Sequence, residues 1–151
     1  MIHTYLGFDF GRRHIGVAVG RSPGARVQAV GTVAARDGHP DWVHLDRLLR
    51  DWQPHGLVVG LPVHMDGQSQ PLTQAARRFG NRLKARYNVP LHWADERLST
   101  WSARQDLIER GIPGRRHKPL LDARAAEALL LAFLEALERQ PQNHPAIDLT
   151  S

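Results

Sequence analysis

The sequence contains no cysteine. Disulfide bonds, zinc–thiolate sites, iron–sulfur clusters and cysteine nucleophiles are therefore excluded as the basis of its function. Long hydrophobic segments are also missing, since the longest apolar run, Ala128 to Leu134, is too short to cross a bilayer. The first residues show neither the basic region nor the apolar region of a signal peptide. From these absences we expect a soluble, cytoplasmic protein that does not associate with a membrane.

The chain is basic and has the length of a single domain. Its 151 residues include 20 Lys and Arg against 15 Asp and Glu, a net charge of +5 with neutral histidines. This length is enough for one sizeable core. We expect one domain over residues 1–139 and a flexible tail over residues 140–151, which contains two prolines. The positive excess favours a polyanionic partner, although a modest charge serves solubility equally well.

The alternation of apolar and polar residues predicts an α/β domain. Three strands in the first third of the chain form an antiparallel meander, and residues 6–20 are its first hairpin. Strands at residues 56–60 and 90–94 alternate with helices, which is typical of parallel pairing through crossovers. The prediction is a mixed five-stranded sheet with helices on both faces. The predicted helices begin at Pro40–Asp41, at Pro71, at Ser99 or Thr100, and at Leu120.

An isolated acidic residue, Asp9, stands in the first strand between Phe8 and Phe10. Because side chains alternate along a strand, Asp9 points away from both phenylalanines. A carboxylate in such a strand costs free energy if it is buried without a cation, a donor or solvent. It could bind a cation, or it could cap the turn from Gly11 to His14, as Asp residues often do. The pattern of this strand alone leaves both interpretations open.

Three further acidic residues occur at the ends of predicted elements. Asp95 and Glu96 end the last strand, and Asp122 begins the last helix on the face that carries Ala126. Asp122 on its own could simply cap the helix. Together with Asp9, these residues could converge on one point, and converging carboxylates repel one another unless hard cations such as Mg²⁺ or Mn²⁺ neutralise them. Two such ions can clamp the attacking and leaving oxygens of a phosphodiester.

Basic residues accompany these acids in the sequence and could hold the backbone of a nucleic acid. A run of charge is often only a solvated face, so each residue is weak evidence by itself. We expect Gly111 to Pro119 to be a mobile basic loop. The candidate nucleic-acid-binding residues are Arg12, Arg13, Arg97, Arg115, Arg116 and Lys118.

Four motifs in this order carry a resemblance to a known family. They are Phe8-Asp-Phe-Gly-Arg-Arg-His-Ile-Gly-Val-Ala18, Val59-Gly-Leu-Pro62 with Met65-Asp-Gly67, Asp95-Glu-Arg-Leu-Ser-Thr100, and Asp122-Ala-Arg-Ala-Ala126. The sequence resembles the YqgF/RuvX family of bacterial ribonuclease H-like proteins. Members of that family are described as Holliday junction resolvases and as nucleases that mature pre-16S ribosomal RNA.

The resemblance implies a ribonuclease H-like fold with Asp9, Glu96 and Asp122 as an acidic triad that holds Mg²⁺ or Mn²⁺, with two ions expected. Asp95 is the second choice for the position given to Glu96, because neighbouring residues in a strand point to opposite faces. Family members often carry Lys where Arg13 stands here; the charge is kept but the geometry differs. The implied partner is a ribosomal RNA precursor or a branched DNA. We expect the protein to be a monomer or a homodimer.

Two other classes of function compete with a metal-dependent nuclease. ATP-handling proteins of the actin and sugar-kinase type share this fold and an Asp-x-Gly hairpin. Their architecture resembles two such domains on either side of the nucleotide, whereas this chain is only long enough for one. No P-loop is present, since Gly16 to Ser22 lacks its spacing and its lysine. The other class is a catalytically silent module that binds nucleic acid.

Overall fold

The computed structural model describes residues 1–62, 71–95 and 118–140, with the side chains of residues 118–121 excepted. The strands are β1 (His3–Asp9), β2 (His14–Ser22), β3 (Arg26–Arg36), β4 (His39–Pro40), β5 (Gly56–Leu61) and β6 (Leu91–Asp95). The helices of the described part are α1 (Trp42–Trp52), α2 (Pro71–Tyr87) and α3 (Lys118–Glu138).

The six strands form one mixed sheet in the order β4-β3-β2-β1-β5-β6. Strands β1 to β4 pair antiparallel, whereas β5 pairs parallel with β1 and β6 pairs parallel with β5. All five predicted strands are present, which confirms the antiparallel meander followed by parallel strands. The sixth strand, β4, was not predicted, because two residues are too few to show any alternation.

Helices α1 and α2 cover one face of the sheet. Phe8 of β1 and Phe79 of α2 are fully buried there, with their ring centroids 5.8 Å apart. Both helices begin where the sequence predicted. The side chain of Asp41 accepts a hydrogen bond from the backbone N–H of His44 at 3.3 Å and thereby caps α1.

Helix α3 covers the opposite face. Its residues Ala126, Leu130 and Leu134 are fully buried and pack against Ala18 of β2 and Val58 of β5. Helices on both faces were predicted, and this is confirmed. The start of α3 was predicted two residues too late. Lys118 and Pro119, expected in the basic loop, belong to its first turn, where a proline is tolerated because the first N–H groups of a helix need no partner within it.

Glycines on the sheet allow α3 to approach closely. A Cβ atom added at Gly20 would lie 2.8 Å from side-chain atoms of Leu130 and Leu134, and one added at Gly7 would lie 3.0 Å from the Cβ of Leu130. These distances leave no room for a larger residue without movement of the helix or its side chains. The glycines therefore bring the axis of α3 nearer to β1 and β2.

Several predictions fall outside the described residues. They are the helix that begins at Ser99 or Thr100, the part of the basic loop before Lys118, and the tail beyond Gln140; the Met65-Asp-Gly67 motif also lies there. Within the part of the chain that is described, no helix is long and apolar enough to cross a membrane.

Candidate active site

A cleft of about 360 Å³ opens where β1 ends and β2 begins. The loop between these strands forms one wall of the cleft. The first turn of α2 and the beginning of α3 form the rest of the cleft. The residues that line the cleft are Gly11, Arg12, Arg13, His14, Leu72 and Asp122. Three segments that are distant in sequence therefore meet at this point, and they include three of the residues predicted for the site.

Gly16 brings Asp9 and Asp122 close together. Asp9 is the last residue of β1 and lies directly opposite Gly16 in β2. Directly opposite residues of an antiparallel pair have Cα atoms about 4.5–5.5 Å apart and project to the same face. A Cβ atom added at Gly16 would overlap the backbone carbonyl of Asp122, so that face is the one covered by α3. Asp9 and Asp122, both half-buried, thus flank the same glycine on one face of the sheet.

Asp95 points to the other face. It is the last residue of β6 and lies opposite Leu61, one position beyond the pair of Gly60 with Ala94. Leu61 packs against the core beneath α1 and α2, whereas Ala94 packs against the core beneath α3. Because directly paired residues share a face, Asp95 projects away from Asp9 and Asp122.

Hydrogen bonds from β3 and the turn after it hold the loop that carries Arg12 and Arg13. The backbone N–H of Ala35 donates to the carbonyl of Arg13 at 2.9 Å, and that of Gly38 donates to the carbonyl of Arg12 at 3.0 Å. The side chains of both arginines are exposed.

His14 and Leu72 line the cleft although sequence analysis did not assign them to it. His14 is the first residue of β2 and lies opposite Ala34. Its Nδ1 atom is buried and has no hydrogen-bond partner among the described residues. The alternation of apolar and polar residues in β2, extended back by one residue, would have placed His14 in the strand. Leu72 gives no such signal, since an apolar residue in the first turn of a helix is ordinary.

The chain matches, over residues 3–136, the family model described as "RuvX: Holliday junction resolvase". This protein belongs to the RuvX family. It is similar to a protein of Actinobacillus pleuropneumoniae serotype 5b named "Putative pre-16S rRNA nuclease", with 43% identity over 136 residues that cover 90% of this chain and 99% of the relative. A protein of the same name from Salmonella enteritidis PT4 is 44% identical over 135 residues, which cover 89% of this chain and 98% of the relative.

Solved structures of Holliday junction resolvases share the fold of this RuvX-family chain. RuvC of T. thermophilus in complex with a Holliday junction substrate aligns with a TM-score of 0.54 and 18% identity, covering 89% of this chain and 96% of RuvC. The resolvase of fowlpox virus aligns with a TM-score of 0.54 and 15% identity, covering 91% and 99% of the two chains. The predicted ribonuclease H-like fold is thereby confirmed.

Asp122 lines the cleft and Asp9, which does not line it, lies across Gly16 from it; this pair of carboxylates suits a hard divalent cation. Asp9 and Asp122 offer only oxygen ligands, which Mg²⁺ and Mn²⁺ prefer. Within the described residues, no group of three or more His, Asp or Glu side chains is close enough to hold a metal ion. Glu96, the third residue of the predicted triad, lies outside the described residues, as do Arg97, Arg115, Arg116 and the side chain of Lys118.

Proposed function

We propose that this RuvX-family protein is a metal-dependent nuclease that hydrolyses phosphodiester bonds in structured nucleic acid. The observation that carries the proposal is the pair of half-buried carboxylates, Asp9 and Asp122, flanking one glycine beside a cleft that Arg12 and Arg13 line. Acids and exposed arginines at one cleft match what a polyanionic substrate and its metal require. Relatives of 43–44% identity named as nucleases support the same conclusion.

The metal would be held by Asp9, Glu96 and Asp122. The direction of Asp95 supports Glu96 as the third ligand, because a residue that faces α1 and α2 is turned away from the other two carboxylates. The donor set suits Mg²⁺ or Mn²⁺, and we expect two ions. A bound divalent ion supplies Lewis-acid stabilisation of the charge that develops on the phosphate oxygens.

The arginines of the loop would bind and orient the substrate. Arg12 and Arg13 are exposed at the cleft, and a guanidinium group can donate two parallel hydrogen bonds to one phosphate. Arg97, Arg115, Arg116 and Lys118 would extend these contacts along the backbone. Water attacks phosphorus, the bond from phosphorus to the 3′ oxygen breaks, and that oxygen takes up a proton. The products carry a 5′-phosphate and a 3′-hydroxyl.

We propose the 5′ end of pre-16S ribosomal RNA as the substrate. Relatives that share 43–44% identity over nearly the whole chain bear the name of a pre-16S rRNA nuclease, whereas the solved resolvases share 15–18%. Phosphate contacts carry no sequence information, so the cleft itself does not choose a substrate. A four-way DNA junction is the second candidate, because the description of the matching family favours it. Symmetric cleavage of a junction would require two copies of the protein.

A comparison of the two substrates tests this proposal. The purified protein is incubated with a structured pre-16S precursor and with a four-way DNA junction, in Mg²⁺, in Mn²⁺ and in EDTA. We expect cleavage near the 5′ end of the precursor with either metal, none in EDTA, and recovery when excess Mg²⁺ is added. Cleavage of the junction alone would replace the substrate with the second candidate. Binding of both substrates without cleavage in any metal would contradict a nuclease and indicate a silent binding module.

A further inference from the structure

Helix α2 is basic along its exposed side and contains no acidic residue. Sequence analysis assigned no function to this charge. Like charges three or four residues apart destabilise a helix, and no acidic residue of α2 itself offsets them. The basic residues of α2, all exposed, are Arg77, Arg78, Arg82, Lys84 and Arg86.

Arg86 has a structural role. Its Nε and Nη2 atoms donate to the two carboxylate oxygens of Asp46 in α1, at 2.9 and 2.8 Å, and the hydroxyl of Tyr87 donates to the same carboxylate at 2.7 Å. These hydrogen bonds, that of Arg86 above all, hold the pKa of Asp46 at about 2. The guanidinium of Arg86 also lies 4.8 Å from the ring centroid of Trp42. Arg86 therefore joins α2 to α1.

Arg78 and Arg82 have no comparable role. They are four residues apart and so lie on one side of α2. Among the described residues, neither forms an ion pair with a carboxylate. The Nη1 atom of Arg82 instead donates to Nδ1 of His39 at 3.2 Å, which leaves the Nε2–H of that imidazole as the donor for a further acceptor. Two acids of α1 and its cap have other partners, since Asp41 caps the helix and Asp46 binds Arg86.

This group of residues continues from the cleft. Leu72 lines the cleft, and at 1.5 Å per residue Arg78 and Arg82 lie about 9 and 15 Å farther along the helix. His39 directly follows Gly38, whose N–H donates to the carbonyl of Arg12 in the loop of the cleft. A span of about 15 Å corresponds to four or five nucleotides at about 3.4 Å for each nucleotide of a strand.

We propose that Arg78, Arg82 and His39 form a basic strip that binds consecutive phosphates of the nucleic-acid strand where it leaves the cleft. The inference rests on the proposed function, because the ligand is the same nucleic acid. Exposed arginines without carboxylate partners gain binding energy by releasing the counterions of the backbone. The strip reads no bases and would lengthen the bound segment rather than select a sequence.

The salt dependence of binding tests the strip separately from cleavage. A labelled precursor RNA that has a single-stranded extension is titrated by fluorescence anisotropy in EDTA at several salt concentrations. The variant is Arg78→Gln with Arg82→Gln. The control is Arg21→Gln with Arg26→Gln, two exposed arginines paired on β2 and β3, which removes the same charge elsewhere. Thermal melting verifies that both variants are folded.

We expect the slope of log K against log salt to become shallower by about 1.4 in the variant, about 0.7 for each phosphate of the single strand that the variant no longer neutralises. The control should keep the slope of the wild type. With an RNA that lacks the extension, the slope measured for the wild type should become shallower, whereas the slope measured for the variant should not change.

An unchanged slope in the variant, or an equal change in the control, would contradict binding of RNA by the strip and would favour an acidic protein as its partner. The test of the proposed function is independent of this binding experiment, because the proposed function depends on whether the wild type cleaves RNA in Mg²⁺.

Discussion

At the scale of single residues, Gly16 determines how closely Asp122 approaches Asp9. The backbone carbonyl of Asp122 occupies the position that a Cβ atom of residue 16 would take. Asp9 lies directly across the β1–β2 pair from the same residue. Since a backbone carbonyl cannot rotate away as a side chain can, any larger residue at position 16 must displace the start of α3.

The substitution Gly16→Ala should therefore destabilise the protein more than Gly7→Ala. The added methyl group at residue 16 meets backbone, whereas at residue 7 it meets the side chain of Leu130, with a closest distance of 3.0 Å. We expect Gly16→Ala to lower the free energy of unfolding by about 1–3 kcal/mol, as overpacking does. Urea denaturation of the two variants and the wild type measures this. An equal or larger loss for Gly7→Ala would show that α3 does not depend on Gly16.

The sequence singled out some candidate residues for the site and left others undecided. Asp9 is recognisable because it interrupts an apolar strand, and alternation gives its direction. The same rule left Asp95 and Glu96 as alternatives; the pairing of β6 with β5 shows that Asp95 faces α1 and α2, while Glu96 lies outside the described residues. The role of Gly16 was not predictable, because a close approach depends on where a helix distant in sequence docks.

At the scale of elements, α3 is tied to the sheet by two carboxylates. Oε2 of Glu127 accepts a hydrogen bond from the backbone N–H of Ala29 at 3.0 Å. Near the C-terminal end of the helix, the carboxylate of Glu138 accepts from the hydroxyl of Ser22 at 2.8 Å and from the N–H groups of Gly24 and Ala25 at 3.3 and 3.1 Å. These bonds fix the helix along its length, so the position of Asp122 depends on the whole element.

Removal of the carboxylate by Glu138→Ala should loosen the turn between β2 and β3. The turn loses the acceptor of its hydrogen bonds, and a hydrogen bond to a charged group contributes about 1.5–3 kcal/mol. We expect hydrogen exchange at Gly24 and Ala25 to accelerate about tenfold or more, which NMR measures residue by residue. Glu135→Ala removes an exposed carboxylate one turn earlier and serves as the control. Equal acceleration in both variants would contradict a specific anchor.

Elements with a strong period were predictable, and weakly patterned ones were not. The apolar stripes of α1 and α2 gave the beginning of both helices, since Asp41 and Pro71 are also ordinary N-terminal residues. Lys118 and Pro119 were expected in a loop because prolines and charges are typical of loops, although a proline also fits the first turn of a helix. The anchors Glu127 and Glu138 depend on tertiary contacts and leave no trace in a periodic pattern.

At the scale of the whole molecule, the order of the sheet collects the candidate site at one edge. β1 lies between β2 and β5, and the parallel strands β1, β5 and β6 end on the same side. Asp9 and Asp95 stand at those ends, and α3 brings Asp122 to the same edge. The fold class followed from the order of strands and helices and from the resemblance to the RuvX family. The distances between the acidic residues could not be predicted from the sequence, because they depend on how α3 packs on the sheet.

The most direct test of the central claim compares Asp9→Asn with Asp95→Asn in a single-turnover cleavage assay. Both substitutions remove one carboxylate at the same edge of the sheet, but only Asp9 shares a face with Asp122. With saturating enzyme, precursor RNA and Mg²⁺, we expect Asp9→Asn to slow cleavage at least about a hundredfold, because it removes a proposed metal ligand. Asp95→Asn should stay within a few-fold of the wild type. Comparable loss in both variants, or full activity of Asp9→Asn, would contradict a metal site built on Asp9 and Asp122.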